Sequence, residues 1–119
     1  GLFGPGRVLG DVAVAAESVR TEISGPGAPM VTWDDEDELL TWINDTDYGL
    51  SGYVFSRDLG WALRLAERME VGMVGINRGL VSDPAAPFGG VKQSGIGREG
   101  AREGIREFQE TQYYSVAWS

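Results

Sequence analysis

An α/β domain with a mostly parallel sheet and flanking helices is the fold class this sequence predicts, on three observations. Its segments read in the order strand, helix, strand, helix, strand, loop, helix, strand. Two connections, at 35–45 and 59–70, have helical apolar spacing, and a helical crossover brings the next strand in parallel to the one before. Apolar residues make up 42% of the 119, enough to bury a core, so a disordered tail is not expected.

Each element follows from local chemistry. Residues 1–27 are rich in Gly and Pro around a short apolar stretch at 12–16, and predict extended structure and turns. Residues 28–33 (APMVTW) read as a buried strand. The acidic run at 34–38 (DDEDE) precedes Leu39, Leu40, Trp42 and Ile43, which marks a helix N-terminus, where negative charge meets the positive end of the macrodipole. That helix should stop near Asn44, with Tyr48 and Gly49 in a turn. Residues 51–56 (SGYVFS) read as the second strand. Asp58 can cap the next helix, whose stripe is Leu59, Ala62, Leu63, Ala66 and Met69, with Gly72 as its stop. Residues 73–77 (MVGIN) make a third strand, and 78–97 a long loop with two Pro and five Gly. A loop of that length inside a compact domain is usually functional. Residues 98–108 predict a short helix with Ala101, Ile105 and Phe108 on one face. The tail 112–118 is strand-like, with Tyr114, Val116 and Trp118 on one side and Tyr113 on the other.

Composition excludes several kinds of function. Asp plus Glu number 18 against 10 Lys plus Arg, a formal net charge of −8, which repels phosphate backbones and anionic lipid. No nucleic-acid or membrane partner is therefore expected, and no apolar run approaches the roughly 20 residues that span a bilayer. The first ten residues (GLFGPGRVLG) lack a charged segment followed by an apolar one, so no secretory signal is expected there. With no Cys there are no disulfides, which fits the cytoplasm. With neither Cys nor His the chain has no thiolate nucleophile, no imidazole base and none of the common zinc ligands. The acidic run 34–38 lacks the alternating spacing of a calcium loop and is a solvated helix cap. No metal site is expected.

The informative stretch is Pro87-Phe88-Gly89-Gly90-Val91-Lys92-Gln93-Ser94-Gly95-Ile96-Gly97-Arg98-Glu99. It reads as a glycine-rich turn presenting an aromatic ring, then a second glycine-rich turn into a helix. Glycine lets backbone approach other groups closely, so Phe88 can be one wall of a site mouth; the plainer reading is an ordinary turn pair with Phe88 as a packing residue, as most loop aromatics are. Residues 95–100 also spell G-x-G-x-x-G. As a dinucleotide fingerprint this fails, because no apolar strand precedes it and no acid stands about 20 positions on.

The same stretch, P-F-G-G-x-K-x-S-G-x-G-R-E, resembles the C-terminal signature of aldehyde dehydrogenases. Residues 44–59 (NDTDYGLSGYVFSRDL) resemble that family's N-x-T-x-Y-G-L-x-x-x-V-F-x-x-D-L segment, and 72–77 (GMVGIN) the strand that follows it. The resemblance is close over 28–114 and looser before. Residues 77–82 (NRGLVS) ahead of the glycine loop look most like succinate-semialdehyde dehydrogenases.

The resemblance implies roles one residue at a time. Phe88 matches the aromatic lining the substrate tunnel beside the catalytic thiol. Ser82 matches a Ser that helps hold the substrate's far carboxylate; otherwise it is a turn hydroxyl bonding local backbone. Glu99 matches a carboxylate implicated in proton movement near the site; otherwise it is an acid at a helix start. Glu22 matches the Glu of E-I-F-G-P that binds the nicotinamide ribose hydroxyls. Ser24 stands where the family has a Phe against the nicotinamide, and Gly27 where a larger residue is usual. The cofactor side thus looks eroded and the substrate side intact.

The implied reading is a C-terminal portion of an aldehyde dehydrogenase catalytic domain at 1–111 and an oligomerisation strand at 112–119. The implied cofactor is NAD or NADP in a complete enzyme, with none expected on this chain alone. The substrate would be a small aldehyde such as succinate semialdehyde. No catalytic residue is assigned, because the family's nucleophile, base and oxyanion Asn lie upstream. Residues 112–118 would join copies of the chain as a homo-oligomer. The alternative is a stand-alone, non-catalytic interaction module derived from the same fold.

Overall fold

The computed structural model describes residues 4–118. The chain divides into two compact units, one up to Thr46 and one from Asp47 onward.

In the first unit, β1 (Arg7–Leu9) and β2 (Gly27–Pro29) pair in parallel, with Arg7 opposite Gly27 and Leu9 opposite Pro29. Met30 N donates to Leu9 O at 2.7 Å and Val12 N to Met30 O at 3.0 Å. The strand expected at 28–33 is therefore shorter, and it is not buried: Met30 is 55% and Trp33 43% exposed. Pro29 has no amide to give to a ladder, and the chain leaves its partner after Met30. A single-turn helix, α1 (Glu17–Arg20), occupies part of the segment read as turns. The 34–38 acids behave as read. Helix α2 spans Glu36–Asn44, and the Asp35 carboxylate accepts from Glu38 N at 2.8 Å as its N-cap. Leu40 is its buried residue. The strand before this crossover takes β1 as its partner, not a strand after α2.

The second unit carries the parallel crossover that the sequence predicts. Strand β4 (Ser51–Val54) leads into α3 (Leu59–Arg68) and back to β5 (Met73–Ile76), which pairs in parallel with β4, Ser51 opposite Met73 and Val54 opposite Ile76. Asp58 caps α3 by accepting from Trp61 N at 2.9 Å. The buried residues are Val54, Ala62 and Leu65. The stripe expected on α3 is displaced: Leu59 and Leu63 are 58% and 48% exposed, and Leu65 takes the inward position. The true face is 62, 65, 66, 69, one ridge over.

Tyr48–Gly49, expected as a turn, is a short strand, β3, antiparallel to β6 (Val91–Lys92), which lies inside the predicted loop. The last helix, α4, is Ala101–Arg106 rather than 98–108. Gly100 has φ +67°, a left-handed conformation that cannot continue a right-handed helix, and Glu99 is engaged in a β-bridge. Its inward residue is Gly104, whereas Ile105 and Phe108 are 60% and 92% exposed. Residues 109–118 have no helix or strand, and 112–118 has no partner strand among the described residues; Ser119 lies outside them. Within the described residues no helix is long and apolar enough to cross a membrane.

Candidate functional site

The long loop of the second unit is held by close backbone approach. Gln93 N donates to Asp47 O at 2.8 Å, and Gly49 N donates to the Ser94 hydroxyl at 2.9 Å. Gly72 N in turn donates to Gly49 O at 3.0 Å. A methyl group on Gly72 would overlap the Gly89 carbonyl oxygen, so Gly72 is there to let the loop pass. It does not stop α3, which ends at the extended residue Met69. Gly90 is as confined: a Cβ there would lie 2.5 Å from Ser94 Cβ and 3.0 Å from Gly49 O.

The two ends of the glycine stretch then meet. Phe88 N donates to Glu99 O at 2.8 Å and Glu99 N to Phe88 O at 2.7 Å, an isolated antiparallel bridge. Inside the closed loop the Arg98 guanidinium donates from Nη1 to Gly90 O at 2.8 Å and to Gly97 O at 2.6 Å. Gly89 must lack a side chain because Arg98 Cδ and Gly97 O would each lie 2.8 Å from its Cβ. Lys92 pairs with Glu70 at the base of the loop. The product is a collar around a concavity of about 560 Å³, whose lining includes Leu50, Phe88, Ile96, Glu99, Glu107 and Phe108. Phe88 is half-buried and Glu99 exposed.

Two of the sequence-predicted site residues, Phe88 and Glu99, are thus brought together through their backbones. Ser82 lies on the same unit, exposed, just before a turn in which Asp83 Oδ1 accepts from Ala85 N at 2.9 Å. Glu22 and Ser24 are exposed residues of the first unit, between α1 and β2. Two residues that matter here received no role from the sequence, Arg98 and Ser94. Both lie inside the quoted motif; what gave no hint is that their partners are main-chain atoms, which any sequence supplies. Chemically the concavity offers an apolar wall and two carboxylates, Glu99 and Glu107. Among the described residues no three acids gather as a metal cage.

The family model for the aldehyde dehydrogenase family matches residues 1–114. The chain belongs to the aldehyde dehydrogenase family. That match also takes in the segment before residue 28, where the signature residues looked loose. The chain is 50% identical over 117 residues to a succinate-semialdehyde dehydrogenase of Paenarthrobacter nicotinovorans, covering 98% of this chain and 26% of that protein. It is 44% identical over 117 residues to a glutarate-semialdehyde dehydrogenase of Pseudomonas putida, covering 98% and 24%. The chain therefore spans about a quarter of the length of these curated relatives. Among solved structures, an aldehyde dehydrogenase of Brucella melitensis superposes with a TM-score of 0.89 at 44% identity, over 94% of this chain and 23% of that one. A betaine aldehyde dehydrogenase of Staphylococcus aureus, solved in complex with NAD+, gives 0.83 at 40%, over 91% and 21%. The α/β class and the family of the resemblance are those of the chain.

Proposed function

We propose that this chain is the C-terminal part of an NAD(P)-dependent aldehyde dehydrogenase that oxidises a small aldehyde bearing a carboxylate at its far end, such as succinate semialdehyde, to the acid. The observation that carries the reading is the Phe88–Glu99 bridge, which holds an aromatic ring at the mouth of a concavity with a carboxylate beside it. The similarity to succinate- and glutarate-semialdehyde dehydrogenases supports the substrate class, since both named substrates carry a carboxylate at the far end.

In this reading Phe88 walls the substrate tunnel, Ser82 donates its hydroxyl to the far carboxylate, and Glu99 handles a proton near the reacting carbon. Glu22 suits the cofactor chemically, because an exposed carboxylate is a good acceptor for two ribose hydroxyls. Ser24 beside it would give the nicotinamide less apolar contact than the family's Phe. When bound, the dinucleotide supplies the hydride acceptor. With no Cys in its 119 residues, this chain contributes no thiolate, so the nucleophile comes from residues outside it. Residues 1–111 make this portion of the catalytic domain. Residues 112–118 add as a strand to the sheet of a neighbouring copy, which covers an otherwise open edge. The absence of cysteine suits a cytoplasmic enzyme.

The test is a hybrid in which this chain replaces the matching 117 residues of the Paenarthrobacter enzyme. The hybrid should produce NADH or NADPH from succinate semialdehyde, and the 119-residue chain alone should not. A folded but inactive hybrid would overturn the proposal in favour of a non-catalytic interaction module. Turnover by the isolated chain that scales with protein and survives repurification would overturn the missing nucleophile.

A further inference from the structure

Strands β4 and β5 run parallel, so the loops leaving their C-terminal ends, after Val54 and after Ile76, emerge at one edge. In open α/β sheets that edge is where ligands bind. The second of these loops runs through 78–87 into Phe88, and its exit is governed by one residue. Asn77 N continues the ladder, donating to Val54 O at 2.8 Å. The Asn77 side chain then repeats the pattern of a peptide unit. Its Oδ1 accepts from Ser56 N at 2.9 Å and its Nδ2 donates to Ser56 O at 2.8 Å. Only one orientation of the amide satisfies both, because an N–H must face the carbonyl. Ser56 is tied in turn to the start of α3, its hydroxyl accepting from Asp58 N at 3.0 Å.

This side-chain pairing frees the Asn77 backbone to turn. Its φ is +53°, a left-handed value that Asn tolerates better than most residues with a Cβ. The chain thereby leaves the sheet sharply while the strand ends stay joined. Further on, the loop is anchored again where Ala101 N donates to Pro84 O at 3.2 Å and at the Phe88–Glu99 bridge. Ser82 lies between the two anchors.

We infer that Asn77 is a positioning residue that sets the path of the 78–87 loop and, through Ser82, the selectivity for the far end of the aldehyde. This rests on the function proposed above, and the assignment of Asn77 goes beyond it. Asn77→Gly keeps the left-handed backbone and removes both side-chain bonds. Asn77→Asp keeps the acceptor for Ser56 N and removes the donor to Ser56 O. Made in the hybrid enzyme, Asn77→Gly should lower the kcat/KM ratio of succinate semialdehyde over propanal about tenfold, chiefly through the KM for succinate semialdehyde. Asn77→Asp should recover part of that, to a loss of about threefold. Exchange of the Ser56 amide with deuterium should quicken in the Gly variant and stay slow in the Asp variant. An equal change for both aldehydes, a loss carried by kcat, or no change at Ser56 would overturn the inference while leaving the proposed function standing. An unmutated hybrid inactive on both aldehydes would overturn the proposed function and this inference with it.

Discussion

The glycine loop at 87–99 and the tail at 109–118 are both without extended regular structure, yet they are physically opposite. In the loop nearly every turn is tied to another main chain: Phe88 to Glu99, Ser94 to Gly49, Arg98 to Gly90 and Gly97. In the tail Tyr113, Tyr114, Val116 and Trp118 are 85%, 72%, 76% and 95% exposed, and the Tyr114 hydroxyl donates to Gln112 Oε1, two residues away, at 2.8 Å. The loop satisfies many of its polar groups by folding on itself and against residues 47–49, a close approach that glycine permits. The tail alternates like a strand, and a strand completes its hydrogen bonds only with a neighbour. Missing regular structure therefore goes with backbone bonds to the rest of the unit in one region, and with exposed apolar side chains in the other.

That contrast can be broken most severely at Gly72. Ala there forces its methyl into the Gly89 carbonyl, with backbone on both sides and no flexible side chain to yield. Destabilisation of about 3 kcal/mol or more is expected by denaturant unfolding, at the upper end for overpacking. Retention of full stability would mean that the loop is not seated against β5's approach. Arg98→Ala should come next. It removes a charged donor from two carbonyls in a half-buried place and should cost about 2 kcal/mol. Arg98→Lys should recover part of this, since a single ammonium group can still reach a carbonyl but lacks the planar fork. Equal losses for Ala and Lys would point to packing of the Arg98 stem as the cause.

The smallest stability effect belongs to the tail. Deleting 112–119 should change folding stability by no more than about 0.5 kcal/mol, because exposed residues contribute little. It should nevertheless reduce the mass measured by light scattering, with the circular dichroism spectrum of the rest intact. If the 119-residue chain is already monomeric at high concentration, residues 112–118 serve no self-association.

Much of the fold was legible because it is encoded locally. Asp35 and Asp58 announce helix starts, since a cap acts within three residues, and β4–α3–β5 follows from one crossover. Less legible was which ridge of α3 faces inward. Leu59 and Leu63 look better than Leu65 in a list of apolar spacings, but the strands beneath decide which ridge is covered. Strands of two residues escape any periodicity, so β3 and β6 were hidden in a turn and a loop. Phe88 and Glu99 were named from the motif, whereas their mutual bridge was not.

By itself the sequence determined the class, the family, the absence of any thiol or imidazole, and the positions of the residues that could line a site. These depend on residue identity and short-range order along the chain. Only the tertiary structure decided that Gly72 is a passage rather than a helix stop, that Arg98 clasps two carbonyls, and that Asn77 stands in for a peptide unit. Each of these depends on at least one main-chain group 8 to 21 residues away, and main-chain atoms are the same whatever the side chain, so no pattern of letters records them.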